Sequence, residues 1–361
     1  MPTIHVELDE NSYPIFIEHG HLGQIGELLK PKAKSPKAIV VADAVVSKHY
    51  GETVSQSLSN AGFDYQIVKV PSGEEYKSLT EFARLHSQLI SHRMNRASTV
   101  LAVGGGAVGD LAGFVAATYM RGIAWVQVPT TLLAHVDASV GGKTAVNHPK
   151  GKNLIGAFHQ PKFVLIDVKT LETLPAREIR SGLVEIIKYG MIMDTPLFEQ
   201  IEENLDAILD LDESILIDII ARSCKDKAYV VEKDEKESGL REILNYGHTF
   251  GHALEALTDY DTYRHGEAIA IGMNCAARLA VNLGMLDSAD WVRQRNLLQR
   301  AGLPVNFESG TDPGKFIEKM YLDKKAKSGN LRLILPTRIG EVVVRGDIDE
   351  AAISTAISEC T

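Results

Sequence analysis

Two histidines four positions apart form the most suggestive chemical pair in the sequence. His248 and His252 lie in the stretch LNYGHTFGHALE, residues 244–255. Side chains at i and i+4 share one face of a helix, as in the metalloprotease motif H-E-x-x-H, but Thr249 stands where that motif has its glutamate base. The pattern therefore disfavours a peptidase. On spacing alone, the two imidazoles hold a metal ion or make satisfied hydrogen bonds in a core, and the second interpretation is favoured.

Two further helical segments supply residue types that bind metals. SGLVEIIKYG places Glu185 on an apolar face with Lys188 one turn later, and YRHGEAIAIG begins a helix with His265 and Glu267. Buried carboxylates and imidazoles are costly unless they are paired or coordinated. Two histidines and one carboxylate make a catalytic zinc site with a position left open for substrate. A buried ion pair between Glu185 and Lys188 explains that glutamate equally well.

A glycine-rich turn follows one of the predicted strands. VLAVGGGAVGDLAGF fits G-x-G-x-x-G with Gly104, Gly106 and Gly109, so backbone N–H groups at a helix N-terminus could bind a pyrophosphate. The motif lies on a middle strand, however, and no acidic residue ends the next strand. A tight strand-to-helix turn of any α/β domain explains it about as well. Asp43, at the end of an earlier strand, is a candidate partner for a ribose.

The segment VDASVGGKTAVNHPKGKNLIGAF, residues 136–158, combines glycines with polar side chains. Asp137, Lys143, Lys152 and Asn153 lie in a stretch too irregular for a helix. Lysine ammonium groups and exposed backbone amides suit a phosphate or a carboxylate. A solvated loop is less favoured, because the flanking residues are strongly apolar.

Length and composition restrict the class of protein. A chain of 361 residues is long enough for two domains. A formal net charge of -9 argues against nucleic-acid binding, which needs a concentrated positive surface. Three widely spaced cysteines fit neither a disulfide scaffold nor a thiolate metal site and indicate a reducing compartment. With no signal-peptide pattern and no apolar run of spanning length, we expect a cytoplasmic protein without membrane contact.

The order of predicted elements changes near residue 175. Between about residues 36 and 170, β-branched strands alternate with helical segments, which predicts a sheet covered on both faces. The strands are AIVVAD (38–43), YQIVKV (65–70), TVLAVGGG (99–106), AWVQVP (124–129) and FVLIDV (163–168). After Pro175 helical periodicity dominates until LRLILP and EVVVRG near the end. We therefore expect an α/β Rossmann-like domain, 1–175, and a helical domain, 176–361.

Several segments together closely resemble the 3-dehydroquinate synthases. They are GGGAVGDLAGF, YMRGIAWVQVPTTLLAHVDASVGGKTAVNHPKGKNLIGAFHQP, GLVEIIKYG, DEKESGLREILNYGHTFGHALE and RHGEAIAIGM, in family order. The resemblance implies a dehydroquinate synthase-like fold, with a Rossmann-like N-terminal domain, an all-α C-terminal domain and an active site in the cleft between them. It also implies bound NAD, one divalent ion (Zn²⁺ or Co²⁺) and a homodimer. The implied reaction converts 3-deoxy-D-arabino-heptulosonate 7-phosphate into 3-dehydroquinate and phosphate, a step of the shikimate pathway.

The resemblance also implies roles for individual residues. The implied metal ligands are Glu185, His248 and His265. The implied substrate contacts are Asp137, Lys143, Asn153, Lys188, Lys227, Arg241, Asn245 and His252, together with Arg121 from the neighbouring subunit of the dimer. His252 would also transfer protons, as would Glu237, and Lys143, Lys188, Arg241 and Asn245 would assist catalysis. The implied NAD contacts are Asp43, Glu74, Lys77, Gly105, Gly106, Asp110, Thr130, Thr131 and Lys152. Either Lys324 or Lys325 would add a basic substrate contact.

Three other functions remain as alternatives. The first is a related sugar-phosphate cyclase, such as a 2-deoxy-scyllo-inosose synthase or a valiolone-forming enzyme, which differs in the residues that face the substrate carboxylate. The second is a metal-dependent polyol dehydrogenase with net redox turnover, against which the cluster of phosphate-binding residues argues. The third is a non-catalytic scaffold, and the complete ligand set argues against it.

Overall fold

The computed structural model describes residues 2–258, 262–323 and 331–361. The chain divides into two compact units. Unit 1 consists of Met1–Leu174 and Leu216–Glu232, and unit 2 of Pro175–Ile215 and Lys233–Thr361. Lys324 and Lys325, the alternative basic substrate contacts, lie outside the described residues.

Unit 1 is built on a seven-stranded sheet in the order β1-β2-β9-β6-β5-β3-β4. Only β1 and β2 pair antiparallel; the other neighbours in this sheet are parallel. A separate antiparallel hairpin joins β7 to β8. The strands are β1 (Thr3–Val6), β2 (Tyr13–Glu18), β3 (Lys37–Asp43), β4 (Asp64–Val70), β5 (Thr99–Gly104), β6 (Ala124–Pro129), β7 (Lys143–His148), β8 (Gly151–Phe158) and β9 (Val164–Asp167). The helices are α1 (Ile25–Leu29), α2 (Ala44–Asn60), α3 (Leu79–Ser91) and α4 (Gly106–Thr118).

Alternation along the buried strands gives the sheet two apolar faces. On β3, Ile39 and Val41 belong to one core cluster, which includes residues of α3 and α4. Val40 and Ala42 belong to the other, which includes residues of α1 and α2. This is the arrangement that near-continuous apolar runs predict for a parallel sheet covered on both sides. The Rossmann-like expectation and all five predicted strands are confirmed.

The strand order creates a switch point between β3 and β5. From β3 the chain adds β4 on one side, and it then adds β5, β6 and β9 on the other. In parallel α/β sheets, ligands bind in the crevice that such a reversal opens beyond the carboxyl ends of the strands. Asp43 ends β3 and Gly104 ends β5. The fold therefore brings the predicted ribose partner and the glycine turn to the same edge of the sheet.

Unit 2 is mainly helical. Its helices are α5 (Ala176–Ile192), α6 (Thr195–Leu209), α8 (His248–Leu257), α9 (His265–Asn282), α10 (Ser288–Arg300), α11 (Pro313–Asp323) and α12 (Glu350–Glu359). A small antiparallel hairpin, β10 (Leu333–Arg338) with β11 (Glu341–Arg345), forms where the sequence carried its late strand patterns. The C-terminal domain is thus not entirely α-helical. None of the helices in the described part of the chain has the length and apolar composition that a membrane crossing needs.

The helix α7 (Glu213–Lys233) does not follow the single domain boundary expected at residue 175. Most of it belongs to unit 1, because its polar contacts lie there. The Lys227 ammonium donates to Asp137, and the Cys224 thiol donates to the carbonyl of His135 at 3.3 Å. Residues 216–232 thus group with unit 1, whereas the sequence placed the whole of 176–361 in the helical domain. Helical periodicity shows that a helix has an apolar face, but it does not identify the residues that cover that face.

Candidate active site

Three side chains of unit 2 lie close enough together to form a candidate metal site. One donor atom from each of Glu185, His248 and His265 lies within 4.8 Å of the others. Glu185 Oε1 lies 3.6 Å from His248 Nε2 and 3.9 Å from His265 Nε2. Two imidazole nitrogens and one carboxylate oxygen are the donor types of a catalytic zinc site.

The two carboxylate oxygens of Glu185 have different environments. Oε2 accepts a hydrogen bond from the Lys188 ammonium, so the ion pair considered as an alternative exists. Oε1 is buried and accepts no hydrogen bond within the described chain. A buried carboxylate oxygen without a donor is unfavourable, and a divalent cation beside the two imidazoles would satisfy it. Glu185 thus forms an ion pair and remains fit to coordinate a metal.

Glycines allow the helices that carry these ligands to approach closely. A Cβ on Gly272 of α9 would lie 2.2 Å from the carbonyl oxygen of Gly247, just before α8. A Cβ on Gly266, next to His265, would lie 2.0 Å from the carbonyl oxygen of Ser181 in α5. Gly247 has φ of +77°, a conformation that side chains disfavour. The short distances from Glu185 to His248 and His265 therefore depend on close backbone contacts that only glycine permits.

His248 is prepared to bind a metal as a neutral imidazole. Burial lowers the pKa of His248 well below its usual value, and the Lys188 charge and the other two imidazoles lower it further. Its Nδ1 lies 3.1 Å from the carbonyl oxygen of Tyr246, which fixes the ring orientation. A metal-binding imidazole must be deprotonated on its ligating nitrogen, and this environment favours that form.

His252 lies beside the ligand set without belonging to the Glu185 group. Its ring centroid is 5.4 Å from that of His248 and 5.9 Å from that of His265. It belongs to a second group of potential donors, with Glu255 and His265. His248 and His252 thus belong to two different groups of potential donors, which share His265.

Glu267 was considered with His265 as a metal-binding residue type, and the structure gives it another partner. Its two oxygens accept from Arg177 at 2.7 Å each, and Oε2 also accepts from the backbone N–H of Arg264 at 2.8 Å. Glu267 therefore caps the start of α9 and pairs with Arg177 rather than joining the ligand set.

The charged loop that follows α7 is organised by Asp234, which sequence reasoning did not single out. The carboxylate accepts from the backbone N–H groups of Ser238, Gly239 and Arg241 at 2.7, 2.7 and 3.0 Å, and from the Ser238 hydroxyl at 2.9 Å. Burial alone would raise the pKa of Asp234, but these hydrogen bonds outweigh it and hold the pKa below its usual range. The only early indication was the Ser238–Gly239 pair four residues after the aspartate, a common turn composition.

This loop carries two of the predicted substrate contacts, Arg241 and Asn245, and the predicted proton-transfer residue Glu237. Arg241 is buried, and its guanidinium donates to the carbonyl of Glu235 at 2.6 Å. The Asn245 amide donates to the carboxylate of Glu237 at 3.2 Å. Glu237 has φ of +58°, a left-handed conformation that a residue without a glycine's freedom adopts at a cost. The charged loop after α7 is therefore an ordered structure.

In unit 1, the buried Lys227 pairs with Asp137, whose side chain is partly exposed. The Lys227 ammonium donates to the Asp137 carbonyl and carboxylate at 2.6 Å each. Asp137 lies in a π-helical turn, Ala134–Ala138, a geometry that is frequent at functional sites.

A polar network around Lys77 connects several predicted cofactor and substrate residues of unit 1. The Lys77 ammonium lies 2.9 Å from Glu74, 3.0 Å from Asp110 and 2.7 Å from the amide oxygen of Asn153. Burial lowers the pKa of Lys77, but the charges of Asp110 and Glu74 outweigh this effect, and the net shift is upward. The lysine therefore stays charged. Asn153 has φ of +56° and lies on β8.

The glycine turn has the form that a nucleotide site requires. Gly105 caps α4 without a side chain, and a Cβ on Gly106 would lie 3.2 Å from Ala138. The Thr130 N–H donates to the Gly104 carbonyl at 3.0 Å, and the Thr131 hydroxyl accepts from the N–H of Ala134 at 3.2 Å. Both threonines therefore adjoin the turn.

Asp43 already has a structural role at this edge of the sheet. Its Oδ1 accepts from the N–H groups of Val45 and Val46 at 2.9 Å and from the Ser72 hydroxyl at 3.0 Å. The aspartate thus caps α2.

Three predicted binding residues lie on exposed or partly exposed parts of unit 1. Lys143 begins β7 and is exposed, and Lys152 lies near the start of β8. Arg121 is exposed in a turn where Met120, Arg121 and Gly122 all have positive φ, at 49°, 68° and 115°. The β7–β8 hairpin was not predicted from the sequence.

A doubly wound sheet with a glycine turn at its switch point, together with a histidine–carboxylate ligand set, defines a nucleotide- and metal-dependent enzyme of the dehydroquinate synthase-like class. The models for the N-terminal and C-terminal parts of 3-dehydroquinate synthase match residues 67–181 and 182–326. The 3-dehydroquinate synthase of Desulforamulus reducens is 50% identical over 99% of this chain and 100% of its own length. The chain belongs to the 3-dehydroquinate synthase family, and its enzymatic activity is that of this family.

Two solved structures share the fold over almost the whole chain. One is 2-epi-5-epi-valiolone synthase from Streptomyces hygroscopicus subsp. jinggangensis 5008 with NAD⁺ and Zn²⁺ bound, with a TM-score of 0.90, 27% identity and 98% of each chain covered. The other is 2-deoxy-scyllo-inosose synthase complexed with carbaglucose-6-phosphate, NAD⁺ and Co²⁺, with a TM-score of 0.91, 28% identity and 100% of each chain covered. The fold class inferred from the resemblance is confirmed.

Proposed function

We propose that this protein converts 3-deoxy-D-arabino-heptulosonate 7-phosphate into 3-dehydroquinate and phosphate, using NAD and one divalent cation. The reaction oxidises C5, eliminates phosphate, reduces C5 again, opens the ring and closes the carbocycle by an intramolecular aldol step. The observation that carries the proposal is the convergence of Glu185, His248 and His265 around a buried carboxylate oxygen that lacks a donor.

Glu185, His248 and His265 are the residues that would hold the cation. When bound, Zn²⁺ or Co²⁺ acts as a Lewis acid that acidifies a coordinated substrate hydroxyl. The neighbouring Lys188 neutralises the second oxygen of Glu185. The positive charge of Lys188 therefore offsets the negative charge of Glu185 before any cation binds.

The switch-point edge of unit 1 is the part that would hold NAD, which would accept one hydride from the substrate and return it within the same turnover. The N-terminus of α4 at Gly105 and Gly106 offers backbone N–H groups to the pyrophosphate. Thr130, Thr131 and Asp43 adjoin this turn or this edge. Asp43 Oδ2 would face the ribose, because Oδ1 already caps α2. The network of Lys77, Glu74 and Asp110, together with Lys152, would complete the pocket.

Cationic and amide side chains of the chain would orient the substrate. Lys143, Lys188, Lys227 and Arg241 carry charges that complement a carboxylate and a phosphate. Asp137, Asn153 and Asn245 supply acceptors or amide donors for the hydroxyls, and His252 and Glu237 would move protons. Since Lys227 and Arg241 are largely buried, their interactions with an anion would be screened little by water.

We also propose a homodimer in which Arg121 acts on the neighbouring subunit. Its exposure, at the tip of a turn held in left-handed conformations, supports a role outside its own chain. The three buried free cysteines support a reducing compartment, the cytoplasm.

Phosphate release from 3-deoxy-D-arabino-heptulosonate 7-phosphate tests the function. We expect release that depends on NAD, stops with a chelator and returns with Zn²⁺ or Co²⁺, without net accumulation of NADH. A parallel assay with glucose 6-phosphate and sedoheptulose 7-phosphate, two sugar phosphates without a carboxylate, tests for the activity of a different sugar-phosphate cyclase. Turnover of either sugar in place of the heptulosonate, or stoichiometric NADH, would overturn the proposal.

A further inference from the structure

The imidazole of His265 lies between two carboxylates. Its Nε2 is 3.9 Å from Glu185 Oε1, and its Nδ1 is 3.5 Å from Glu255 Oε1. An imidazole that coordinates a metal through Nε2 carries its proton on Nδ1. Glu255 is therefore on the side of the ring where that proton must be accepted.

Glu255 is a buried residue whose position on α8 suits this task. Its side chain is 10% exposed. It follows His252 by three positions, so both side chains lie on the same face of α8. A carboxylate buried to this extent is costly unless a charged or hydrogen-bonding partner offsets its desolvation, and the Nδ1–H of His265 is such a partner.

The two imidazole ligands are supported in different ways. His248 Nδ1 faces the neutral carbonyl of Tyr246 at 3.1 Å, whereas His265 Nδ1 faces a carboxylate. Carboxylate partners hold the ring of a metal-binding histidine in one tautomer and increase the basicity of its ligating nitrogen. His265 is also the more exposed of the two, at 32% of its side chain against 13% for His248, so it has more need of an external constraint.

We propose that Glu255 is a positioning residue of the metal centre, which holds the His265 imidazole in its ligating tautomer and orientation. This inference rests on the proposed metal-dependent function. Glu255 acts through His265 and does not itself contact the cation.

The test compares Glu255→Ala and Glu255→Gln with the parent chain. The glutamine amide oxygen can still accept from Nδ1–H, whereas alanine cannot. We expect Zn²⁺ affinity, measured by competition with a chromophoric chelator, to fall about 10- to 100-fold in the alanine variant and to stay within a few-fold of the parent in the glutamine variant. The visible absorption of the Co²⁺-loaded protein should change in the alanine variant only. Glu359→Gln, a distant carboxylate that pairs with Arg278, is the matched control and should leave both readouts unchanged.

Two results would overturn the inference. Parental Zn²⁺ affinity and an unaltered Co²⁺ spectrum in Glu255→Ala would show that the carboxylate does not constrain His265. Loss of metal binding by more than about 1,000-fold in both variants, far above the range for residues outside the ligand set, would make Glu255 a ligand in a site with His252. If the parent chain binds no Zn²⁺ at all, the proposed function itself fails, and this outcome is distinct from the other two.

Discussion

Lys188 holds one oxygen of Glu185 and leaves the other facing two imidazoles. The two residues lie one turn apart on α5, and each side chain is 1% exposed. Breaking a buried ion pair by removing one partner leaves an uncompensated charge, which costs more than the pair itself contributes. The stability of the metal-free protein therefore depends on the lysine.

We expect Lys188→Met to destabilise the metal-free protein by about 3–5 kcal/mol, because Glu185 loses its counter-charge. The double variant Glu185→Gln/Lys188→Met should recover most of this loss, since no buried charge remains. Urea denaturation of the four proteins in a double-mutant cycle measures the coupling. Additive losses in the two single variants would contradict the account.

The different neighbours of His248 and His252 predict different consequences of their removal. His248→Ala removes a donor from the Glu185 group and should reduce Zn²⁺ retention after dialysis to a small fraction of the parent value. His252→Ala leaves that group intact, so it should retain Zn²⁺ and lose turnover, by roughly 100-fold for a residue that transfers protons. Metal analysis and phosphate release on the same samples give both readouts. Equal loss of metal in the two variants would refute the division.

The parts of the fold that the sequence predicted share one property: their residues pack against other apolar residues. The strands of unit 1 are short apolar runs that a covered parallel sheet buries on both faces, so β3 and β5 were recognisable without knowledge of their partners. The β7–β8 hairpin was not, because its strands carry glycines and lysines, and every position of β8 is exposed or partly exposed.

Long-range pairing explains what the sequence did not predict in the site. Glu267 and Arg177 are 90 positions apart, and no local pattern indicated that this glutamate would form an ion pair with an arginine. Asp234 and Glu255 likewise stand in no local pattern that marks them as residues of the site. The candidate ligand set was inferred from the family resemblance. The residues that position other residues could be recognised only in the folded structure.

Close packing of α8 and α9 predicts that an alanine at Gly272 weakens the metal site. Its Cβ would lie 2.2 Å from the carbonyl oxygen of Gly247 and 2.8 Å from the N–H nitrogen of Gly251. The helices must separate, which moves His248 on α8 away from His265 on α9. We expect a loss of about 1–3 kcal/mol of stability, as for overpacked cores, together with weaker Zn²⁺ binding. Gly51→Ala, in α2 and near only the Ser47 side chain, is the control and should be neutral or slightly stabilising. Parental Zn²⁺ affinity in Gly272→Ala would contradict this account.

His135 gives unit 1 a pH-dependent stability. Burial lowers its pKa to about 4 from 6.5, and its Nε2 lies 3.1 Å from the carbonyl oxygen of Pro129. Between pH 6.5 and about 4 the unfolded chain takes up a proton that the native chain does not, so stability falls as the pH falls across this window. The nearby Cys224 thiol, with its pKa raised to about 12 by burial, does not titrate there.

We therefore expect His135→Gln, which keeps a donor for Pro129 but does not titrate, to remove a pH-dependent loss of roughly 3 kcal/mol. Urea denaturation between pH 7 and pH 4 measures the difference in slope. His49→Gln, at an exposed position, should keep the slope of the parent. The same slope in His135→Gln as in the parent would show that the buried imidazole is not its source.

The hydrogen bonds of Asp234 stabilise the conformation of the loop that carries Glu237 and Arg241. The aspartate accepts hydrogen bonds through both oxygens, Oδ1 from Ser238 and Oδ2 from the N–H groups of Gly239 and Arg241. An asparagine of the same shape can accept through only one of these atoms, so its amide N–H₂ must face backbone donors. Unsatisfied buried donors cost about 1–3 kcal/mol, and the loop would leave its left-handed conformation at Glu237.

We expect Asp234→Asn to lower turnover by at least about 10-fold, a change equivalent to 1.4 kcal/mol, while Zn²⁺ binding stays at the parental level because the ligand set lies on other elements. Asp212→Asn is the matched control. Asp212 also accepts from a serine hydroxyl and a backbone N–H, at the start of α7, but it is exposed, and asparagine caps helices about as well as aspartate. Phosphate release and metal analysis on both variants separate the possibilities. Parental turnover in Asp234→Asn would mean that Glu237 and Arg241 keep their positions without this carboxylate, and lost metal would mean that its effect extends to the ligand helices.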